Sequence, residues 1–379
     1  MSRRFVVTLA TLIVIGLAAG VAILLAKGYT FSTTEKKLVG TGIITVTSIP
    51  DSASVFVDGH LTTATNTTIA GLTPKKYQVK VVKEGFIPWE KQVSVKEGLV
   101  TDLKITLFPA IPTIYPLTYN GVQSPTLSPD GRKLAFVVPI STTSVQTSKK
   151  AGVWIWTFDQ DQPIAFARAA QPHQIVQSGG VDYTNATLRW SQDSKQVLAT
   201  AGKNNYLLND DGLNSDPRDI TPILASTLKG WEDDTKAKDV ARVEAIKDLG
   251  ARRIASNSAI LRWAPNETKF MYSPDSNPST LQDESKIKFK VYDLETNQQY
   301  EIPSVNSHFW LPTSRHIVLV EKDQVSIVDF DGSNKAIIYA GKFEDSLVFA
   351  WPDASRLTFV SSFPTPTASE PNLYGVNLK

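Results

Sequence analysis

Ser128-Pro129-Asp130-Gly131-Arg132-Lys133-Leu134-Ala135-Phe136 sets a tight, polar turn directly before an apolar run. The same order returns as Trp190-Ser191-Gln192-Asp193-Ser194-Lys195-Gln196-Val197-Leu198-Ala199 and as Trp263-Ala264-Pro265-Asn266-Glu267-Thr268-Lys269-Phe270-Met271-Tyr272. Weaker copies begin at Trp310-Leu311-Pro312 and Trp351-Pro352-Asp353, the last with its tryptophan slipped by one position. Pro, Asp, Asn and Gly supply the turn, and the apolar run that follows reads as a buried strand. A second strand is expected after each copy, at Val153 to Trp156, Tyr206 to Leu208, Phe289 to Tyr292, Val325 to Val328 and Leu373 to Val376. Asp211-Gly212 and Asp331-Gly332 add hairpin-turn chemistry behind two of these. Strand repeats at a spacing near 40–50 residues are the signature of propeller blades. The equivalent positions Pro129, Gln192, Pro265, Pro312 and Pro352 lie 63, 73, 47 and 40 residues apart, so the first two intervals hold insertions or one further blade. The expectation is an all-β ring of five or six blades over residues 112–379. The Ile114 to Thr118 segment should pair with the last blade, because an unpaired strand edge templates aggregation.

Residues 215–256 interrupt the pattern. Trp231, Val240, Val243, Ile246 and Leu249 lie near helical spacing, with Asp233 and Asp234 early and Arg252 and Arg253 late, as the helix dipole favours. This predicts one helical insertion, packed on the edge of a blade or serving as a lid or partner-binding element. Together with the connection Ser141 to Lys150 it enlarges the loop surface of the ring.

Upstream, Phe108-Pro109-Ala110-Ile111-Pro112 is a stiff joint, with 109–111 as linker. Residues 41–108 carry period-two alternation: Ala53, Val55 and Val57; Tyr77, Val79 and Val81; Val93 with Val95; Leu103, Ile105 and Leu107. Such alternation marks strands with one buried face, and Asp58-Gly59 reverses a hairpin between two of them. A small sandwich follows, in which Asp58 is a turn residue and not an acid–base group.

Residues 1–40 read as an anchor and stalk. Phe5 to Ala26 is 22 residues without a charge, about 33 Å as a helix and enough for a bilayer core. It exceeds the apolar region of a cleaved signal, although Ala18, Gly20 and Ala22 allow cleavage. Arg3 and Arg4 before it place the N-terminus inside and the bulk of the chain outside the cytoplasm. Gly16 and Gly20 form a GxxxG pattern that would let two such helices pair as a homodimer.

Composition excludes whole classes of function. Charge is +2, from 39 basic and 37 acidic residues, so nucleic acid is not an expected partner. Cysteine is absent, which removes disulfides, thiolate catalysis, a lipidated N-terminal cysteine and Cys-type metal sites. No Walker-type loop, G-x-S-x-G or H-E-x-x-H is present, and His60, His173, His308 and His316 lack zinc-site spacing. Asp329-Phe330-Asp331-Gly332 lacks the closing ligands of a calcium loop and reads as a hairpin turn. No catalytic, cofactor or metal residue is assigned. Trp190, Trp263 and Trp310 occupy equivalent repeat positions and are expected between blades, whereas Trp89 and Trp231 are expected at the surface.

Ser48-Ile49-Pro50-Asp51-Ser52-Ala53-Ser54-Val55-Phe56-Val57-Asp58-Gly59, with Gly71-Leu72-Thr73-Pro74 and Lys83-Glu84-Gly85-Phe86, resembles the PEGA domain family. Pro74-Lys75-Lys76-Tyr77 stands where that family usually has Pro-Gly before the tyrosine. The five repeats resemble the WD40-like, TolB-type propeller repeats of bacterial envelope proteins. These resemblances imply a PEGA-like β-sandwich followed by a propeller, behind a transmembrane helix, in a cell-envelope interaction protein that binds a protein or a cell-wall glycan. The alternative is an envelope hydrolase or sugar-active enzyme with its site in the propeller funnel, since TolB-type propellers also occur beside α/β-hydrolase domains. The chain stops at Lys379, so no such domain is expected.

Overall fold

A computed structural model describes residues 3–26, 28–32, 37–140, 149–158, 171–274, 287–344, 347–363 and 370–379. It divides into two compact units, Met1–Ile111 and Pro112–Leu378.

In the first unit, helix α1 spans Arg3–Ala26. Residues 7–23, whose burial is described, are apolar except for Thr8 and Thr11, and all but the half-exposed Gly20 are exposed. They cover about 25 Å at 1.5 Å per residue, and no helix among the described residues is long and apolar enough to cross a membrane. The expected span Phe5 to Ala26 runs past these side chains at both ends. The expected stalk is not featureless: Tyr29–Ser32 and Lys37–Gly40 pair as an antiparallel hairpin.

Residues 42–106 form two sheets. In the three-stranded sheet, Gly42–Ile49 pairs antiparallel with Thr67–Leu72 and parallel with Val100–Thr106. The four-stranded sheet runs in the order His60–Ala64, Ser54–Val57, Lys76–Val82, Trp89–Ser94. Alternate residues of both sheets meet in one core, in which Ile44, Val46, Val55, Val79 and Val81 are fully buried, as period-two patterning requires. Backbone bonds from Ile87 to Phe108 and from Ala110 to Gly85 seal the end of the unit.

The second unit contains, among the described residues, five antiparallel four-stranded sheets, which are five blades. Blade 1 is Gln123–Leu127, Lys133–Val138, Gly152–Thr157 and His173–Gln177. Blade 2 is Thr187–Trp190, Gln196–Ala201, Asn204–Asn209 and Arg218–Asp219. Blade 3 is Leu261–Trp263, Lys269–Tyr272, Phe289–Asp293 and Gln298–Ile302. Blade 4 is Ser307–Trp310, His316–Glu321, Gln324–Asp329 and Ala336–Ala340. Blade 5 takes Val348–Ala350, Arg356–Ser361 and Asn372–Asn377 from the end of the chain and its outermost strand, Ile114–Pro116, from the beginning. All five expected second strands are present, and Ile114 pairs with Val376. Asn372–Asn377 lies between Arg356–Ser361 and the closing strand. Ring closure is visible in the packing, since Trp351, Val360 and Leu373 of blade 5 share a core with Leu134, Phe136 and Trp156 of blade 1. The connection Ser141 to Lys150 falls largely outside the described residues.

The insertion comprises two helices, α2 (Leu224–Glu244) and α3 (Leu249–Asn257). They separate because the Asp248 side chain caps α3 by accepting from the Ala251 amide at 2.7 Å. The single helix expected from the spacing is therefore corrected: Asp233 and Asp234 are not in the first turn of α2, and Arg252 and Arg253 belong to α3. Of the expected apolar stripe, Val243 and Ile246 pack against Phe270 and Tyr272 of blade 3. Val240 and Leu249 are exposed.

Turns carry the constraints between blades. Gly332, in the blade 4 hairpin, has φ +80°, and a Cβ there would lie 2.6 Å from the Glu301 carbonyl oxygen of blade 3. Gly332→Ala is expected to cost about 1–2 kcal/mol in urea unfolding. Gly212→Ala, at a position with no neighbour within 4 Å, is expected to be close to neutral; equal effects would contradict the close approach.

His316 is buried in blade 4, its Nδ1 paired with the Thr313 hydroxyl at 2.9 Å. Asp329 Oδ1 lies 3.5 Å from its Nε2, which by itself would favour the charged ring. Burial dominates and, with Arg315 nearby, pushes its pKa down to about 3. The unfolded chain therefore binds this proton below pH ~6.5 while the folded chain stays neutral, so stability falls as pH drops from about 6.5 towards 3. The slope from this group is up to ~1.4 kcal/mol per pH unit. In His316→Gln the urea midpoint should fall less between pH 7.5 and 4.5 than in the parent; an unchanged fall would rule the histidine out as a source.

Candidate functional site

The turns that open the repeats gather around a cavity of about 840 Å³. Its wall is built by innermost strands, which present Leu127, Trp263, Phe309 and Phe349, and its rim by Pro129, Pro265, Pro312 and Pro352. Proline fits here because each turn fixes its φ before a strand and needs no donor at that point. Blades 1, 3, 4 and 5 contribute to the lining, and Asp239 and Arg242 of α2 contribute as well. The insertion therefore reaches the cavity and is not confined to a blade edge.

Charge at the rim is paired in place. Arg242 Nε donates to Glu267 Oε1 at 2.8 Å, and its Nη1 lies 3.6 Å from Asp239 Oδ1. Asp130 Oδ1 accepts from the Ser128 hydroxyl at 2.5 Å and from the Arg132 amide at 3.0 Å, which fixes the turn and leaves the Arg132 side chain exposed. Aromatic faces on rigid strands, with proline rings and charged turns at the rim, suit the recognition of an extended chain or a sugar face. Among the described residues, no group of three or more His, Asp and Glu side chains is placed to hold a metal ion.

Trp190 and Trp310 are buried between blades, as their repeat position predicts, and their indole nitrogens donate to the carbonyls of Thr126 and Arg262, each at 3.0 Å. Trp263, at the third equivalent position, is half-buried on the cavity wall. Trp231 is partly exposed on α2. Trp89 is not a surface residue: it pairs across from Val81 and is 7% exposed in the sandwich core. Its place on the strand face that also buries Val93 outweighs its position outside the repeats, which suggests exposure.

Asp58 has φ +50° in the Asp58-Gly59 turn and accepts from the Gln78 amide at 2.9 Å. The Lys75 ammonium, hydrogen-bonded to it at 2.8 Å, holds its carboxyl below the usual range. It is a turn residue, as expected. His308 and His316 are buried, and their strands run antiparallel with His308 opposite Leu319. That register sets them about 10 Å apart along the sheet, so the repeat does not bring them together. His60 is exposed and His173 Nε2 contacts the Asp210 carbonyl at 2.9 Å. In Asp329-Phe330-Asp331-Gly332 the Asp331 carboxylate accepts from Ser333 within the hairpin turn.

Sequence reasoning missed Arg132, Asp239, Arg242, Phe309 and Phe349 as cavity residues. The innermost strands are three to five residues long, too short to display which side faces the axis. The turn prolines were legible, and their convergence was the available signal.

Comparison with known proteins places one unit in a family. The PEGA domain family matches residues 41–111. Among solved structures, TolB from Acinetobacter baumannii shares 13% identity over 80% of this chain and 60% of its own, with a TM-score of 0.25. A protein assigned as TolB from Agrobacterium tumefaciens shares 17% identity over 65% of this chain and 76% of its own, with a TM-score of 0.21. Tricorn protease shares 11% identity over 78% and 26%, with a TM-score of 0.21. The chain thus spans less than two thirds of the first of these structures. No curated protein matches the chain. The propeller rests on its own strand pairing, and the sandwich lies within residues 41–111, which match the PEGA domain family.

Proposed function

We propose that this chain is a bacterial cell-envelope protein, tethered to the membrane by its N-terminal helix with its bulk outside the cytoplasm. In this reading its propeller binds a protein or a cell-wall glycan without catalysing a reaction. The axial cavity carries the proposal: it is concave, walled by strands that hold their side chains in fixed positions, and edged by charge. The sandwich spends its apolar residues on its own core, which leaves it the role of spacer.

The anchor is supported by the exposed apolar circumference of α1, where Leu12, Ile13, Val14, Ile15 and Leu17 are all more than half exposed. A helix that is apolar all round belongs inside an apolar medium. Gly16 and Gly20 have no neighbour within 4 Å, which leaves room for a second α1 to approach and form a homodimer.

Two measurements test this function. A photo-crosslinking residue in place of Arg132, at the rim, should capture a partner in intact cells, and one in place of Leu61, exposed on the sandwich, should not. Capture at Leu61 alone reverses the roles of the two units. Protease added to spheroplasts should digest the chain beyond Lys27; complete protection, with digestion after permeabilisation, would place the bulk in the cytoplasm.

A further inference from the structure

Two ties recur between neighbouring blades. The repeat tryptophan donates to the preceding blade, Trp190 to the Thr126 carbonyl and Trp310 to the Arg262 carbonyl. A serine at the left-handed turn position accepts a backbone amide of that blade, Ser194 from Asp130 at 3.2 Å and Ser314 from Asn266 at 3.0 Å. Among the described residues, three seams lack both: blade 5 has Trp351 bonded to its own Thr358 and Ala354 at the turn position, blade 1 has Leu127 and Gly131 at these positions, and the seam between blades 2 and 3 is the one that the insertion adjoins. Trp263 Nε1 is buried without a hydrogen-bond partner, although Arg189 stands to it as Thr126 stands to Trp190. The serine position is occupied by Glu267, φ +58°, whose carboxylate faces Arg242 of α2.

α2 begins downstream of blade 2 and leads through α3 to blade 3. Just before α2, the Thr221 hydroxyl accepts from the Asn205 amide of blade 2 at 2.8 Å. Arg242 holds Glu267 of blade 3 and, with Asp239, lines the cavity. α3 is fixed by the buried residues Ala251 and Ala255, whereas α2 buries none of its side chains. Apart from Val243 in its last turn, which packs partly buried against the blade 3 core, α2 is attached through part-exposed charges, and such a helix is held weakly.

We propose that α2 is a releasable strap: it bridges the seam of blades 2 and 3, covers one side of the axial cavity, and lifts when a partner enters. This rests on the reading of the cavity as the partner site. Arg242–Glu267 is the latch, and α3 is the hinge-side anchor that keeps the strap attached.

The chain has no cysteine, so Ala350→Cys places a single thiol on the cavity wall. Adding Glu267→Gln should raise its rate of modification by iodoacetamide about two- to fivefold, the range of a part-exposed ion pair. The swap Arg242→Glu with Glu267→Arg should return the rate towards the parent. A thiol at Ala135→Cys, in the core between blades 1 and 2, reports general loosening. An unchanged rate at position 350, or an equal rise at position 135, overturns the strap. Faster modification at 350 with no partner captured from Arg132 supports the strap and removes the partner site.

Discussion

Backbone pairing between Ile114–Pro116 and Asn372–Asn377 decides whether the second unit exists as a ring. The bond from the Tyr115 hydroxyl to the Asn377 side chain joins positions 262 residues apart, and Asn372 adds contacts to Thr118 and to the Gly121 amide. Without this strand, blade 5 would present an unpaired edge. Blade 1 would lose the partner that covers Trp156 and Phe158, which lie against Trp351 at ring-centroid distances of 6.0 and 4.8 Å. A cavity walled by inner strands needs every blade in register, so closure comes before any binding surface. Its entropic expense is the loop between its ends, which grows slowly with length.

Within the closed ring the seams are not equivalent. Seams 1–2 and 3–4 use indole and serine ties, and seam 5–1 uses stacked aromatic rings. Seam 4–5 brings Tyr339 to 4.5 Å from Phe359. Seam 2–3 is spanned by the insertion instead. Weakly similar repeats thus give a ring whose seams differ, and the insertion marks one side of it without altering the blade plan.

Much of this was readable in the residues. Turn-then-strand order located the blades, Asp58-Gly59 the hairpin, and alternation the sandwich core. Three kinds of information were not. The parallel pairing of Gly42–Ile49 with Val100–Thr106 is a long-range choice that neither strand's alternation specifies. The division of 215–256 into two helices turns on one cap, Asp248, inside a stretch with helical spacing throughout. Asp211-Gly212 looks like a two-residue hairpin, yet Gly212 lacks the positive φ such a turn needs. There the Asn214 side chain, bonded to Asn209, Gly212 and Ile175, shapes a longer loop. The cavity charges were hidden because Arg242 reaches Glu267 only through tertiary packing.

The parallel pair in the sandwich has a mechanical meaning. Gly42–Ile49 is the first strand of the domain and Val100–Thr106 the last, and seven registered pairs run from Ile43↔Val100 to Ile49↔Thr106. Tension applied at the two ends of the domain pulls these strands in opposite directions along their shared axis. The load is then shear across the whole ladder: its hydrogen bonds resist together and do not peel one at a time. A hairpin-terminated sandwich would unzip under the same pull. Extension between the two ends of this domain is therefore resisted by shear.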